Sequence, residues 1–212
     1  MKISLALVVL TLIATAPLSA AVRPDDQRLA KRLTLRLDDF PSGWTVAQKS
    51  SRRFRRSTCS NAPKMQRYIT GFSDSHFFRP VDEGDPQRVT STTRVFPSED
   101  AARRWFNWAG GGKQTLCLRI GHVADEERDG YAVTRVRHTR QSFKGSCYPC
   151  PTHELRAWSI RYRAAKDGQS WDIFRDHVAV RVGRTVIGFY FYDEDFRFIG
   201  GEALVGEVLA RA

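Results

Sequence analysis

Several things are scarce in this chain, and each scarcity narrows what it does. Only four of the 212 residues are cysteine. Lysine stands only at positions 2, 31, 49, 64, 113, 144 and 166, so arginine supplies most of the 34 basic residues. No apolar run reaches the ~20 residues that a membrane-spanning helix needs. A nucleophile elbow of the Gly-x-Ser-x-Gly kind is missing, because Ser146 precedes Cys147 but no second glycine follows in register. His76, His122, His138, His153 and His177 are scattered without metal-ligand spacing. There is no internal repeat and no low-complexity linker. These absences leave no catalytic residue, metal or cofactor to assign, and they turn attention to binding.

The first stretch, "MKISLALVVLTLIATAPLSA", has Lys2 near its start, an apolar run from Ile3 to Ala14, and the small residues Ser19, Ala20 and Ala21. That is the anatomy of a secretory signal peptide over residues 1–21, cleaved after Ala20 or Ala21. No cysteine follows the apolar run, so a lipid anchor is not expected. Residues 22–212 are then one domain, secreted or otherwise extracytoplasmic (periplasm or cell envelope), where cysteines oxidise. Hydrophobic residues make up 42% and aromatic residues 11%, enough to bury a core. The formal net charge is +11. Outside a cell, such a surface points to anionic lipid, wall polymer or an acidic protein, and away from nucleic acid.

Along the mature chain, Leu29, Leu33 and Leu37 recur at four-residue steps, which predicts a helix over Asp25–Leu37 capped by Asp25 or Asp26. Pro41 and Gly43 then turn the chain, and Trp44–Lys49 alternates as a strand. The β-branched run Gln87–Phe96 reads as another strand. Ser98 is a good N-cap for a helix that places Ala101, Trp105 and Trp108 on one face, with Gly110 to Gly112 ending it. Those tryptophans face a core or form a ligand platform. In the second half, Tyr131–Arg137, Glu154–Arg163, Trp171–Val182 and the "TVIGFYFYD" segment are strands. "KDG" at 166–168 and "VGR" at 182–184 supply tight turns. Glu202–Ala210, with Leu204, Val205 and Leu209 on one stripe, is a closing helix. The sum is an α+β domain: a curled antiparallel sheet, a meander in its C-terminal half, and two to three helices packed on one side.

The order of motifs "DDFPSGWT", "VFPSEDAARRWF" leading to Cys117, and "HVAVRVGRTVIGFYF" before a short closing helix resembles the PknH-like extracellular sensor domain family. The resemblance covers most of the mature chain. It implies an antiparallel sheet with helices, disulfide staples, and a cleft for an unidentified cell-envelope ligand.

The chemistry-bearing candidates are few. Cys147 and Cys150 form a Cys-x-x-Cys pair, used elsewhere for redox catalysis, for metal binding or as a staple. Pro149 and Pro151 flank it, and the strand-like downstream sequence lacks the helix N-terminus that activates a thiolate. With His138 and His153 the pair matches no common zinc pattern. The expected bridges are Cys59–Cys117 and Cys147–Cys150; the two other pairings remain open. Arg52, Arg53, Arg55 and Arg56 surround Phe54 and form either an anion grip or a solvated loop. The aromatic run Phe189, Tyr190, Phe191, Tyr192 is a candidate ligand surface, and the acidic run Asp193–Asp195 is either a solvated turn or a calcium or acid/base site. The leading reading is a non-enzymatic, sensor-like binding domain for an apolar or anionic envelope ligand. The alternatives are a thiol–disulfide protein using Cys147 and Cys150, or a secreted domain that binds another protein.

Overall fold

The computed structural model describes residues 21–47, 68–81, 87–141, 153–194, 198 and 200–212. The expected signal peptide up to residue 20, the arginines at 52, 53, 55 and 56, and Cys59, Cys147 and Cys150 lie outside the described residues. Among the described residues, no helix is long and apolar enough to cross a membrane.

The elements run α1 (Pro24–Arg32), β1 (Thr45–Val46), β2 (Gly71–Arg79), β3 (Gln87–Val95), α2 (Glu99–Ala109), α3 (Gly112–Arg128), β4 (Ala132–Gln141), β5 (His153–Lys166), β6 (Gln169–Val182), β7 (Thr185–Glu194) and α4 (Gly201–Leu209). The strands form one open, curled, wholly antiparallel sheet of seven, in the order β1-β2-β3-β7-β6-β5-β4. The expected meander is β4 through β7. Its hairpins close where the chain changes hand: Asp167 and Gly168 have φ of +54° and +80°, so Lys166 pairs directly with Gln169. The α+β class stands as expected.

Helices cover both faces of the sheet. Directly paired residues share a face, which sorts the core into two layers. On one face Val89, Val178, Val180, Ile187, Phe189 and Phe191 pack with Leu33 and Leu35 just beyond α1 and with Leu204, Val205 and Val208 of α4. On the other, Ala101, Ala102, Trp105 and Phe106 of α2 cover Val186, while α3 lies over Ile160, Tyr162, Ala164, Ile173 and Tyr192. The helices therefore divide between the faces. The reason is β7, which sits between β3 and β6 and is buried on both sides along most of its length. One helical layer covers its Ile187, Phe189 and Phe191, each worth ~1.5–3 kcal/mol when buried, and a second is needed for Val186, Tyr190 and Tyr192 on the other side.

The first helix also ends early. It stops at Arg32, and Leu37 falls in a separate short turn with 42% exposure. Asp26 is no cap. It is 1% exposed and receives two hydrogen bonds from Arg184, at 2.5 and 2.9 Å, which tie α1 to the β6–β7 turn. That guanidinium holds the Asp26 carboxyl below the usual carboxylate range. Gly71 permits the same docking, because a Cβ there would lie 2.2 Å from the Asp26 carbonyl oxygen. Two elements were absent from the sequence expectation, β2 and the 17-residue α3. Of the expected strand at 44–49, Thr45–Val46 pairs with β2, and residues 48 and 49 lie outside the described residues.

Candidate functional site

The face beneath α3 is unlike the other. Strand alternation brings Tyr162 of β5, Arg175 and His177 of β6, and Tyr190 and Tyr192 of β7 to one side, with Arg175 opposite Tyr192 and His177 opposite Tyr190. Above them α3 presents His122 and Glu126, four residues apart and so on one helical face.

Arg175 is the hub. Its Nε donates to the Tyr162 hydroxyl at 2.7 Å and its Nη1 to the Tyr190 hydroxyl at 2.7 Å. Nη2 donates to Glu126 Oε1 at 2.5 Å, and the Tyr162 hydroxyl donates to the same oxygen at 2.8 Å. The guanidinium carbon also stands 4.9 Å from the Tyr192 ring centroid, within cation–π range. Nη1 lies 3.1 Å from His122 Nδ1. An arginine only donates, so Nδ1 is the acceptor and Nε2 carries the proton.

The network moves its titrations away from neutrality. Burial raises the Tyr162 and Tyr190 hydroxyls above the ordinary tyrosine range, against the pull of Arg175. Burial alone would lower Arg175, but Tyr190, Tyr162 and Glu126 outweigh it and hold the guanidinium more firmly protonated than usual. Burial, Arg175 and His138 push His177 down to about 3. Burial, Arg175 and His177 push His122 well below its ordinary value. The Nε2 atoms of His122, His138 and His177 are all buried without a hydrogen-bond partner. These three rings are uncharged spacers. His122 stacks on His177 at 5.5 Å, and His138 stacks on Trp158 at 4.8 Å.

Next to this network the sheet opens into a pocket of about 150 Å³, lined by Glu126, Tyr131, Ala164, Trp171, Ile173, Tyr192 and Glu194. Glu126 belongs to both network and pocket. Tyr192 spans them as well, donating its hydroxyl to Glu194 Oε1 at 2.9 Å. The Tyr131 and Trp171 rings meet edge to face at 6.1 Å. A wider groove of about 280 Å³ runs along α3, lined by Arg119, Ile120, Val123, Ala124, Glu127 and Val136. It has no comparable convergence of rings and carboxylates.

The residues singled out in the sequence distribute unevenly. Phe189 and Phe191 are 3% and 1% exposed and belong to the core on the face of α1 and α4. Tyr190 and Tyr192 reach the opposite face, one in the network and one in the pocket wall. Trp105 is a core side chain, 3% exposed, as a core-facing stripe requires. Asp193 is 6% exposed and accepts from Gln87 Nε2 at 2.7 Å, so it is part of the sheet and not of a solvated turn. Cys117 on α3 is disulfide-bonded. Among the described residues no group of three His, Cys, Asp or Glu is placed to hold a metal ion.

Sequence reasoning missed Arg175, Glu126, Tyr162, Tyr131 and Trp171. The available signal was in β6, where Arg175 and His177 share the parity of the buried Ile173. A cation and an imidazole on an inward face point to a polar partner above it.

No family model matches the chain, and no curated protein sequence does. Among solved structures it is similar to the crystal structure of the extracellular domain of PknH from Mycobacterium tuberculosis, with TM-score 0.40 and 11% identity over 91% of this chain and 95% of that one. It is also similar to LpqN, described as involved in cell envelope biogenesis of Mycobacterium tuberculosis, with TM-score 0.33 and 11% identity over 80% of this chain and 75% of that one.

The depressed histidines make stability depend on pH with a definite sign. The unfolded chain takes up protons near the ordinary 6.5, whereas folded His177 refuses one until about 3. Its contribution is complete above 6.5 and is lost as pH falls from there toward 3. The thermal midpoint of the native chain should therefore fall more steeply between these limits than that of a His177→Gln variant. Parallel curves would contradict the assignment.

Proposed function

We propose that this chain is an extracytoplasmic, non-enzymatic binding domain that holds a cell-envelope ligand in the pocket under α3. The observation that carries the reading is the pocket itself, with three aromatic rings and two carboxylates converging over an apolar floor of Ala164 and Ile173. The extracytoplasmic part rests on the signal-peptide anatomy of the first 21 residues. The non-enzymatic part is supported by the titrations. Tyr162 and Tyr190 are bonded to Arg175 and raised, and His177 is pushed down to about 3, so these groups are moved away from neutral pH, where general acid–base catalysis needs them.

The ligand's apolar part would lie on Trp171, Tyr131 and the floor. An anionic part has a different address, because Glu126 and Glu194 repel it. The exposed arginines of β4, Arg135, Arg137 and Arg140, offer it a positive surface. Arg52, Arg53, Arg55 and Arg56 are proposed to extend that role to anionic lipid or wall polymer.

Two measurements check this. Purified protein incubated with envelope extract and desalted should carry a small molecule detectable by mass spectrometry, and a Trp171→Ala variant should lose it. Equal retention by the two, or none by either, would end the pocket reading. Sedimentation with anionic vesicles at low salt should fall when Arg135, Arg137 and Arg140 become alanine, and should fall again when the 52–56 arginines do. Unchanged sedimentation would remove the electrostatic part.

A further inference from the structure

Every ionisable group that lines the pocket is an acid or a phenol. Glu126 and Glu194 are acceptor-only when ionised, and no arginine, lysine or histidine is among the lining residues. A wall of ring faces and acceptor oxygens suits a ligand that donates or carries positive charge. Both carboxylates are also held in place. Glu126 is fixed by Arg175 and Tyr162, and Glu194 accepts from Tyr192.

The rings point the same way. Two of the three already attract cations of the chain itself: Lys166 Nζ stands 5.0 Å from the Tyr131 centroid, and Arg88 and Arg175 stand 5.3 and 4.9 Å from that of Tyr192. Trp171 is the ring type that binds cations best, and among the described contacts none of the chain's cations sits on it. The side chains of the remaining wall, Ala164 and Ile173, are aliphatic and suit the apolar shell of an organic cation. A volume of about 150 Å³ admits a compact group and no more.

We propose that the pocket takes a compact organic ammonium group, seated on Trp171 beside the Glu194 carboxylate. This deepens the binding reading above and rests on it. The ammonium comes either from a free small molecule or from a lipid head group, and both present the same chemistry to the pocket.

The test is a titration of the whole mature chain with choline and, in parallel, with 3,3-dimethylbutan-1-ol, its uncharged isostere, followed by calorimetry and by the Trp171 indole resonance. Choline should bind saturably and shift that resonance, and the alcohol should bind about tenfold more weakly or not at all. Trp171→Leu should abolish choline binding, Trp171→Phe should retain part of it, and Glu194→Gln should weaken it several-fold. Equal binding of choline and the alcohol would overturn the charge selection while leaving the pocket as a binding site. Failure of choline to move the Trp171 resonance, while extract-derived material still occupies the pocket, would overturn the ammonium class alone. Sedimentation with neutral phosphatidylcholine vesicles assigns the group to lipid heads, and choline binding without vesicle association assigns it to a free ammonium.

Discussion

A guanidinium on the inward face of a sheet has to be compensated or it is not there at all. Moving an isolated charge into a medium of low dielectric costs tens of kcal/mol in the Born limit, so Arg175 is tolerable only because its surroundings answer it. Neighbouring strands supply two hydroxyls, Tyr162 and Tyr190, and one ring, Tyr192. The sheet offers no carboxylate at that point. Glu126 of α3 provides it and His122, one turn away, provides a further acceptor. The position of α3 is in this sense a consequence of Arg175. A helix displaced by one turn would leave the cation without its counter-charge, at a cost of ~3–5 kcal/mol for a broken buried pair.

This constraint explains why the two faces of one sheet serve different ends. The face of α1 and α4 is closed mainly with apolar side chains, and two of its polar members, Ser91 and Thr93, bond within it to the backbone and side chains just after α1. It is a packing surface. The opposite face is laid out with cations over rings: Arg94 beside Phe72 and Trp105, Arg156 over Phe106, Arg175 by Tyr162 and Tyr192. Where this layer runs out, at the start of β6 and the end of β7, rings and carboxylates are left lining a pocket. The arrangement is preorganised, because the groups that would meet a ligand already have their orientations set by partners behind them.

Legibility in the sequence followed the same division. Strands with regular alternation and turn residues were readable: β3, and β5 through β7 with their hairpins, fall where Gln87–Phe96, Glu154–Arg163, "KDG" and "VGR" put them. The helix after Ser98 was readable from its cap, whose hydroxyl accepts from Ala101 N–H at 3.2 Å. In contrast, α3 was invisible. Leu116, Ile120 and Val123 do share a stripe at i, i+4 and i+7, but Leu116 and Ile120 are 40% and 53% exposed, and the buried side of the helix is carried by Thr115 and His122. In a helix held by a polar network the apolar period does not mark the buried face. The site went unread for the same reason, since its members come from four elements and the link among them is a hydrogen-bond pattern. The aromatic run 189–192 was correctly noticed, but a strand sends alternate residues to opposite faces, so half of it went to the core.

The central claim is that Arg175 holds α3 over the sheet and thereby builds the pocket. Amide hydrogen exchange on the native chain and on an Arg175→Met variant tests it most directly, because methionine keeps the packing while removing the cation. The account predicts that the amides of 113–128 lose protection in the variant while those of β6 and β7 keep theirs. Unchanged protection along α3 would contradict it and would leave the helix held by packing alone.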